Sequence, residues 1–171
     1  LLRLGPAVER ELREAESRRR QRLFDRFSHF QSEVQEMILD QVPLPQVLER
    51  IARSVIDLST TDVLCSILLA SADGEYLLLG AQEGFPSEFF EKFCPMPIAA
   101  GMGPCGSAAA QKGSVVIKDV ARYSDSIKFR DEARRHGLRS CWSLPILSAD
   151  GTLLGTIGMF HKQPHSPGEE E

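Results

Sequence analysis

Between Gly101 and Phe160 the chain has little freedom in what it can become. It reads GMGPCGSAAAQKGSVVIKDV up to Val120 and HGLRSCWSLPILSADGTLLGTIGMF from His136. A Gly/Pro-marked turn leads into a short helix of very small residues, opening at Pro104 or Cys105 and ending near Gly113. Ser114 to Lys118 follows as a strand, then a loop from Asp119 to Ser126. A polar helix is expected over Ile127 to His136, with Gly137 at its C′ position. Arg139–Leu147 and Thr152–His161 then form a hairpin over Asp150-Gly151. Short strands on tight turns, with helices between them, predict an α+β domain on an antiparallel sheet.

The preceding residues fit the same plan. Leu44 to Leu58 carries Val47, Leu48, Ile51, Ala52, Val55 and Leu58 in a 3-4 stripe suited to packing on a sheet. Val63 to Ala70 (VLCSILLA) is apolar at nearly every position, the pattern of a strand covered on both faces. Ala72-Asp73-Gly74 turns it into a second strand, Tyr76 to Gly80. Ser87 reads as the cap of a short helix through Phe93. PMPIAAGMGP allows only a short edge strand at Met96–Ile98. The expected sheet has five or six strands with helices on both faces, and no internal repeat is evident.

Residues 8 to 41 contain neither Pro nor Gly and are rich in Glu, Arg, Gln and Leu, which predicts one long helix. Leu23, Phe27, Phe30, Val34, Met37 and the polar Gln41 follow each other in steps of four and three, a coiled-coil seam. The eleven residues from Leu12 to Leu23 are a stutter in it. Glu9–Arg13 and Glu14–Arg18 are spaced to support the helix. The reading is a homodimer through the Leu12–Gln41 helix, and the Arg18-Arg19-Arg20 run is a solvated face. The organisation expected is a signalling helix at 1–42, a domain at 43–162 and a flexible tail at 163–171. The chain starts at Leu1-Leu2 without Met and reads as a piece of something longer.

With net charge −4, the chain has no electrostatic footprint for nucleic acid, and no apolar run reaches the ~18 residues of a membrane span. Cys65, Cys94, Cys105 and Cys141 lack metal or redox spacing and suit reduced thiols in a cytoplasmic protein.

The GPCGSAAAQKG turn–helix and the HGLRSCWSLPI strand, in this order of elements, resemble the GAF domains of bacterial signalling proteins. The likeness covers about residues 44 to 162. It implies a receptor and not a catalyst, with a small-molecule pocket between sheet and middle helices. That pocket falls among Phe89, Phe93, Met96, Gly103, Cys105, Ser107, Tyr123, Phe129, Cys141 and Ser143. The resemblance further implies an output domain outside this sequence, of cyclic di-GMP turnover or histidine kinase type.

Relatives within that family set the alternatives. Free methionine-(R)-sulfoxide reductases carry a cysteine at a position similar to Cys105, and a helix N-terminus would lower its pKa if exposed. Their other cysteines lie in a loop that here reads DVARYSDSIKF, without any. Cys105 therefore reads as a small buried hydrophobe. No cysteine stands where phytochrome-type domains attach a bilin. Lys128-Phe129-Arg130-Asp131-Glu132 echoes the cyclic-nucleotide signature only superficially and reads as helix surface charge. His136, His161 and His165 read as capping or surface residues, leaving no clear haem or metal ligand set, and Trp142 as a core anchor. A ligand-free dimerisation platform is the remaining alternative.

Overall fold

The computed structural model describes residues 4–59, 61–86 and 88–164, with side chains from Val8 onward. Two compact units meet in sequence at Val42–Pro43. The first is a single helix, α1 (Leu4–Leu39), whose Glu14 lies 3.6 Å from Arg10 and 3.5 Å from Arg18. It stops before Gln41, which is left-handed at φ 56°. The Val42 N–H donates to the Met37 carbonyl at 2.9 Å and the Gln41 N–H to that of Ile38 at 3.1 Å. This is a Schellman cap, so Gln41 ends the helix and is not part of its seam, contrary to expectation. Along the rest of the seam Leu12 and Phe27 are exposed, while Leu23, Phe30, Val34 and Met37 are half-buried.

The second unit is built on six strands: β1 (Val63–Ala70), β2 (Tyr76–Glu83), β3 (Met96–Pro97), β4 (Val115–Ile117), β5 (Ser140–Leu147) and β6 (Leu153–His161). They form one antiparallel sheet in the order β3-β2-β1-β6-β5-β4. The two hairpins β1–β2 and β5–β6 are thus joined through β1 and β6, with Val63 opposite His161 and Leu69 opposite Gly155. α2 (Leu44–Leu58) buries Val47, Leu48 and Ala52, as its stripe predicts, and packs on β1 and β2. There Leu48 and Ala52 meet Cys65, Ile67 and Ala81. The alternate residues Leu64 and Leu68 face the other way, into a larger core with α3 (Glu88–Glu91), α4 (Gly103–Gln111) and α5 (Ile127–Arg135). Helices therefore cover both faces, and β1 is buried along six of its eight positions.

Both long hairpins turn on the same tetrapeptide, Ser71-Ala72-Asp73-Gly74 and Ser148-Ala149-Asp150-Gly151, a small repeat that the reading of the sequence missed. In each, the serine hydroxyl donates to the aspartate, whose Oδ1 also accepts a backbone N–H, from Glu75 at 3.0 Å or Thr152 at 3.1 Å. Each glycine is left-handed (φ 73° and 82°), as such a turn requires.

α4 ends in a second Schellman cap, on Lys112 (φ 48°) and not on Gly113. The Lys112 ammonium donates to the Gly151 carbonyl at 2.7 Å, tying α4 to the β5–β6 turn. Gly137 closes α5 as expected, with the Leu138 N–H on the Ala133 carbonyl at 2.8 Å.

Other boundaries differ in detail. β2 runs on to Glu83, α3 stops before Phe93, and a 3-10 turn (Val120–Arg122) stands in the expected loop. Ser126 caps α5 by accepting the Phe129 N–H. Ser87 and residues from His165 on lie outside the described residues. Of the expected tail, the Gln163 carbonyl accepts a 2.7 Å bond from Ser140 Oγ.

Candidate functional site

The site is set by how three strands place small residues under α4. Ser66 of β1 and Ser143 of β5 both pair with Gly158 of β6. Directly paired residues share a face, so their side chains form one row, which Thr156 extends two residues along β6. Cys105 reaches down to this row. A Cβ at position 158 would stand 3.2 Å from its sulfur, 3.0 Å from Ser66 Oγ and 2.8 Å from the Phe160 ring. Glycine is what allows the helix to sit this close. Ser66, Ser143 and Thr156 are 0% exposed and Cys105 is 2% exposed. The three hydroxyls face the sulfur, yet none has a hydrogen-bond partner of ordinary geometry.

Beside this polar row stands an aromatic wall. Phe85 lies 5.0 Å from Phe89, Phe90 and Phe160, centroid to centroid. Phe93 is 5.4 Å from Phe89 and 6.2 Å from Phe129, and Phe129 is 6.4 Å from Phe160. Tyr123 meets Phe129 edge-on at 6.0 Å.

Of the residues expected in a pocket, Phe89, Met96, Cys105, Phe129 and Cys141 lie in one buried cluster, with Phe93 and Tyr123 packed against it. Gly103 abuts the Phe129 ring, and Ser143 adjoins Cys105. Ser107 accepts the Gly101 N–H at 3.1 Å and faces the Tyr123 hydroxyl. The sequence reading missed Ser66, Thr156, Gly158, Phe85, Phe90 and Phe160. One signal was available: Ser66 is the lone hydroxyl within VLCSILLA.

Burial dominates the chemistry here. It pushes the Cys105 thiol up, against the opposing pull of the Ser143, Thr156 and Ser66 hydroxyls. Cys65 is pushed to about 12, Cys94 to about 11 and Cys141 well above the ordinary thiol range. All four cysteines are free. Tyr123 is raised by burial as well. A thiol held protonated is a poor nucleophile.

Two expectations need correction. The KFRDE stretch is not plain surface charge, because Phe129 and Glu132 are 3% and 5% exposed. Glu132 faces outward from the core onto Lys92, Arg135 and His136. The Lys92 hydrogen bond above all holds its carboxyl below the usual range. Lys92, Glu132 and Arg135, with Lys128 and Asp131, line an open depression of about 470 Å³. His161 is not a surface residue either: it is buried and stacks on Trp142 at 4.5 Å. Trp142 is buried as a core anchor should be. Among the described residues, no cluster of three or more His, Cys, Asp or Glu side chains is placed to hold a metal ion.

A family model described as GAF domain matches residues 41–171, more than half of the chain. The chain belongs to the GAF domain family. The GAF domain is similar in sequence to a methyl sulfide methyltransferase-associated sensor of Methanosarcina acetivorans, 25% identical over 151 residues, 81% of this chain. The chain spans 15% of that relative's length. Among solved structures, the GAF domain of a phosphoenolpyruvate-protein phosphotransferase from Coxiella burnetii matches with TM-score 0.67 at 19% identity, covering 86% of this chain and 82% of that one. A free methionine-R-sulfoxide reductase from Neisseria meningitidis, in complex with its substrate, matches with TM-score 0.60 at 22% identity, covering 81% and 74%. At such identities both matches speak to the fold, which here is the GAF fold. Among the described residues, no helix is long and apolar enough to cross a membrane.

Proposed function

We propose that this GAF domain is the sensory module of a longer signalling protein, taking up a small molecule between the sheet and α4. The candidate contacts are the ten residues from Phe89 to Ser143 named above, together with the hydroxyl row. The observation that carries the reading is the three unpartnered hydroxyls at the foot of an aromatic wall. A core built only for stability would place apolar side chains there, since each buried hydroxyl without a partner costs about 1–3 kcal/mol. The relative named as a sensor supports the same role. Native mass spectrometry of the freshly purified chain tests it. A bound small molecule lost on Cys105→Phe, which fills the site, is the expected result; a variant that keeps the same ligand removes this site from consideration.

Signal relay is assigned to α1. In one copy of the chain it leaves Val8, Leu12, Phe24 and Phe27 exposed, and a second α1 along the seam would cover such residues. The output beyond it is of cyclic di-GMP or histidine kinase type. Light scattering at micromolar concentration should give a dimer, and a monomer would refute the relay.

The likeness to a methionine sulfoxide reductase favours a second reading, redox catalysis by Cys105. Its buried, protonated thiol argues against it. The expected outcome is no turnover of free methionine-(R)-sulfoxide; turnover that Cys105→Ala abolishes would reinstate it.

A further inference from the structure

On the outward side of α5 there is a second place where a molecule can sit. The open depression lined by Lys92, Lys128, Asp131, Glu132 and Arg135 has a volume of about 470 Å³, within the range of about 300–1,000 Å³ usual for small-molecule sites. It shares no residue with the pocket proposed under α4, so the two stand or fall separately.

Each cation of the depression is fixed by one bond and keeps its other donors unused. The Lys92 ammonium and Arg135 Nη1 hold the two oxygens of Glu132, the latter at 3.2 Å. The Lys128 ammonium donates to the Lys92 carbonyl at 2.7 Å and stands 5.4 Å from the centre of the Phe93 ring. An ammonium has three donors and a guanidinium five, so most of these N–H groups point to solvent. The side chains of Lys92 and Arg135 are 46% and 73% exposed, against 6% for Glu132. The carboxylate is the buried anchor, and the cations face outward. Long basic side chains lose much rotamer freedom when a ligand fixes them; here part of that ordering is in place beforehand, which favours binding.

The two carboxylates do not use up the positive charge. Glu132 is shared by Lys92, Arg135 and His136, and Asp131 is paired with Arg130 at 3.2 Å. Lys92, Lys128, Arg130 and Arg135 against two carboxylates leave two positive charges over with His136 neutral, in a chain of net charge −4. A dianion balances that surplus, whereas a cation or an apolar ligand leaves it unmatched. A tetrahedral oxyanion also presents several acceptor oxygens at once, matching donors that arrive from three side chains, one of them the planar fork of an arginine.

We propose that the depression between Lys92, Lys128 and Arg135 binds the dianionic phosphate group of a small phosphate monoester, with Glu132 as the anchor that holds two of the cations in place.

Glycerol phosphate is the probe, at pH 7.5 where a monoester with its second pKa near about 6 is dianionic, and binding is read on the backbone amides of the full chain by NMR at fixed ionic strength. Expected is a saturable shift of the Lys92 and Lys128–His136 signals that sodium chloride alone does not produce. Lys128→Ala and Arg135→Ala should each weaken it about 3- to 10-fold, with Arg135→Lys recovering part of the loss. Lys118→Ala, which removes the same charge from an exposed residue outside the depression, should leave it unchanged. Equal weakening by all three alanine variants would reduce the effect to overall charge and overturn the proposal. If Arg135→Ala lowers the melting temperature, Lys128→Ala decides, because its ammonium is bonded to a carbonyl and not to the buried carboxylate. Phosphatidylcholine vesicles with and without phosphatidic acid distinguish a free ligand from a lipid headgroup: sedimentation with the acidic vesicles, lost in Arg135→Ala and without any response to glycerol phosphate, would overturn the small-molecule form. No response to either probe overturns the site altogether and leaves the pocket under α4 untouched.

Discussion

A single missing side chain, at Gly158, decides how closely α4 can approach the sheet. Alanine there would place its Cβ 2.8 Å from the Phe160 ring, closer than real Cβ atoms sit, and 3.2 Å from the Cys105 sulfur, a tight contact. Gly158→Ala is expected to cost about 1–3 kcal/mol by urea denaturation. Adding Cys105→Ala should recover part of that loss, so the two changes are less than additive; full additivity would mean that α4 does not rest on this point. The thiols offer a second check. With Cys65 pushed to about 12 and Cys94 to about 11, a disulfide reagent at pH 8 should label the native chain far more slowly than the urea-unfolded one. Rapid labelling of Cys105 in the native protein would contradict its burial. The aromatic half of the site was legible, because Phe89, Phe93 and Phe129 announce a core wherever they cluster. The hydroxyl half was not, since Ser66 meets Ser143 and Thr156, 77 and 90 positions further on, only through strand pairing.

Elements with a strong internal pattern were read residue for residue. The stripe of α2 and the nearly continuous apolar run of β1 set both boundaries before any tertiary contact is considered. Elements that depend on distant partners were not. Gln41 and Lys112 adopt a left-handed conformation usually left to glycine, and Lys112 has a reason visible only in the fold, its bond to Gly151. Glu132 looked like surface charge because Lys92 lies forty positions away. The paired SADG turns carry their own prediction. Hydrogen bonds, first from Ser148 and then from Thr152, hold Asp150 at about 2, below the ordinary 3.8; Ser71 and Glu75 lower Asp73 in the same sense. A carboxyl depressed in the folded state contributes stability above its unfolded value and loses it as the pH falls through the folded one. Asp150→Asn should therefore flatten the melting-temperature profile between about pH 3.8 and 2, leaving its shape above pH 5 unaltered. An unchanged acid limb would show that the turn does not depend on ionised Asp150.

At the scale of the whole domain, the β1–β6 pair carries the architecture, because it alone joins one hairpin to the other. Leu68 is fully buried at its centre, opposite Thr156. Leu68→Ala is expected to cost about 2–5 kcal/mol with an unchanged denaturant slope, whereas Val116→Ala on the three-residue edge strand β4 should cost well under half as much. Comparable losses would place the keystone elsewhere. The same pair has a mechanical meaning. Because Val63 faces His161, the polypeptide enters and leaves the sheet side by side, about 5 Å apart. Tension applied through those two flanking segments would not shear the strands along their length. It would peel them from that end, one rung after another, so the domain should yield at low force, like a zipper pulled from its open end.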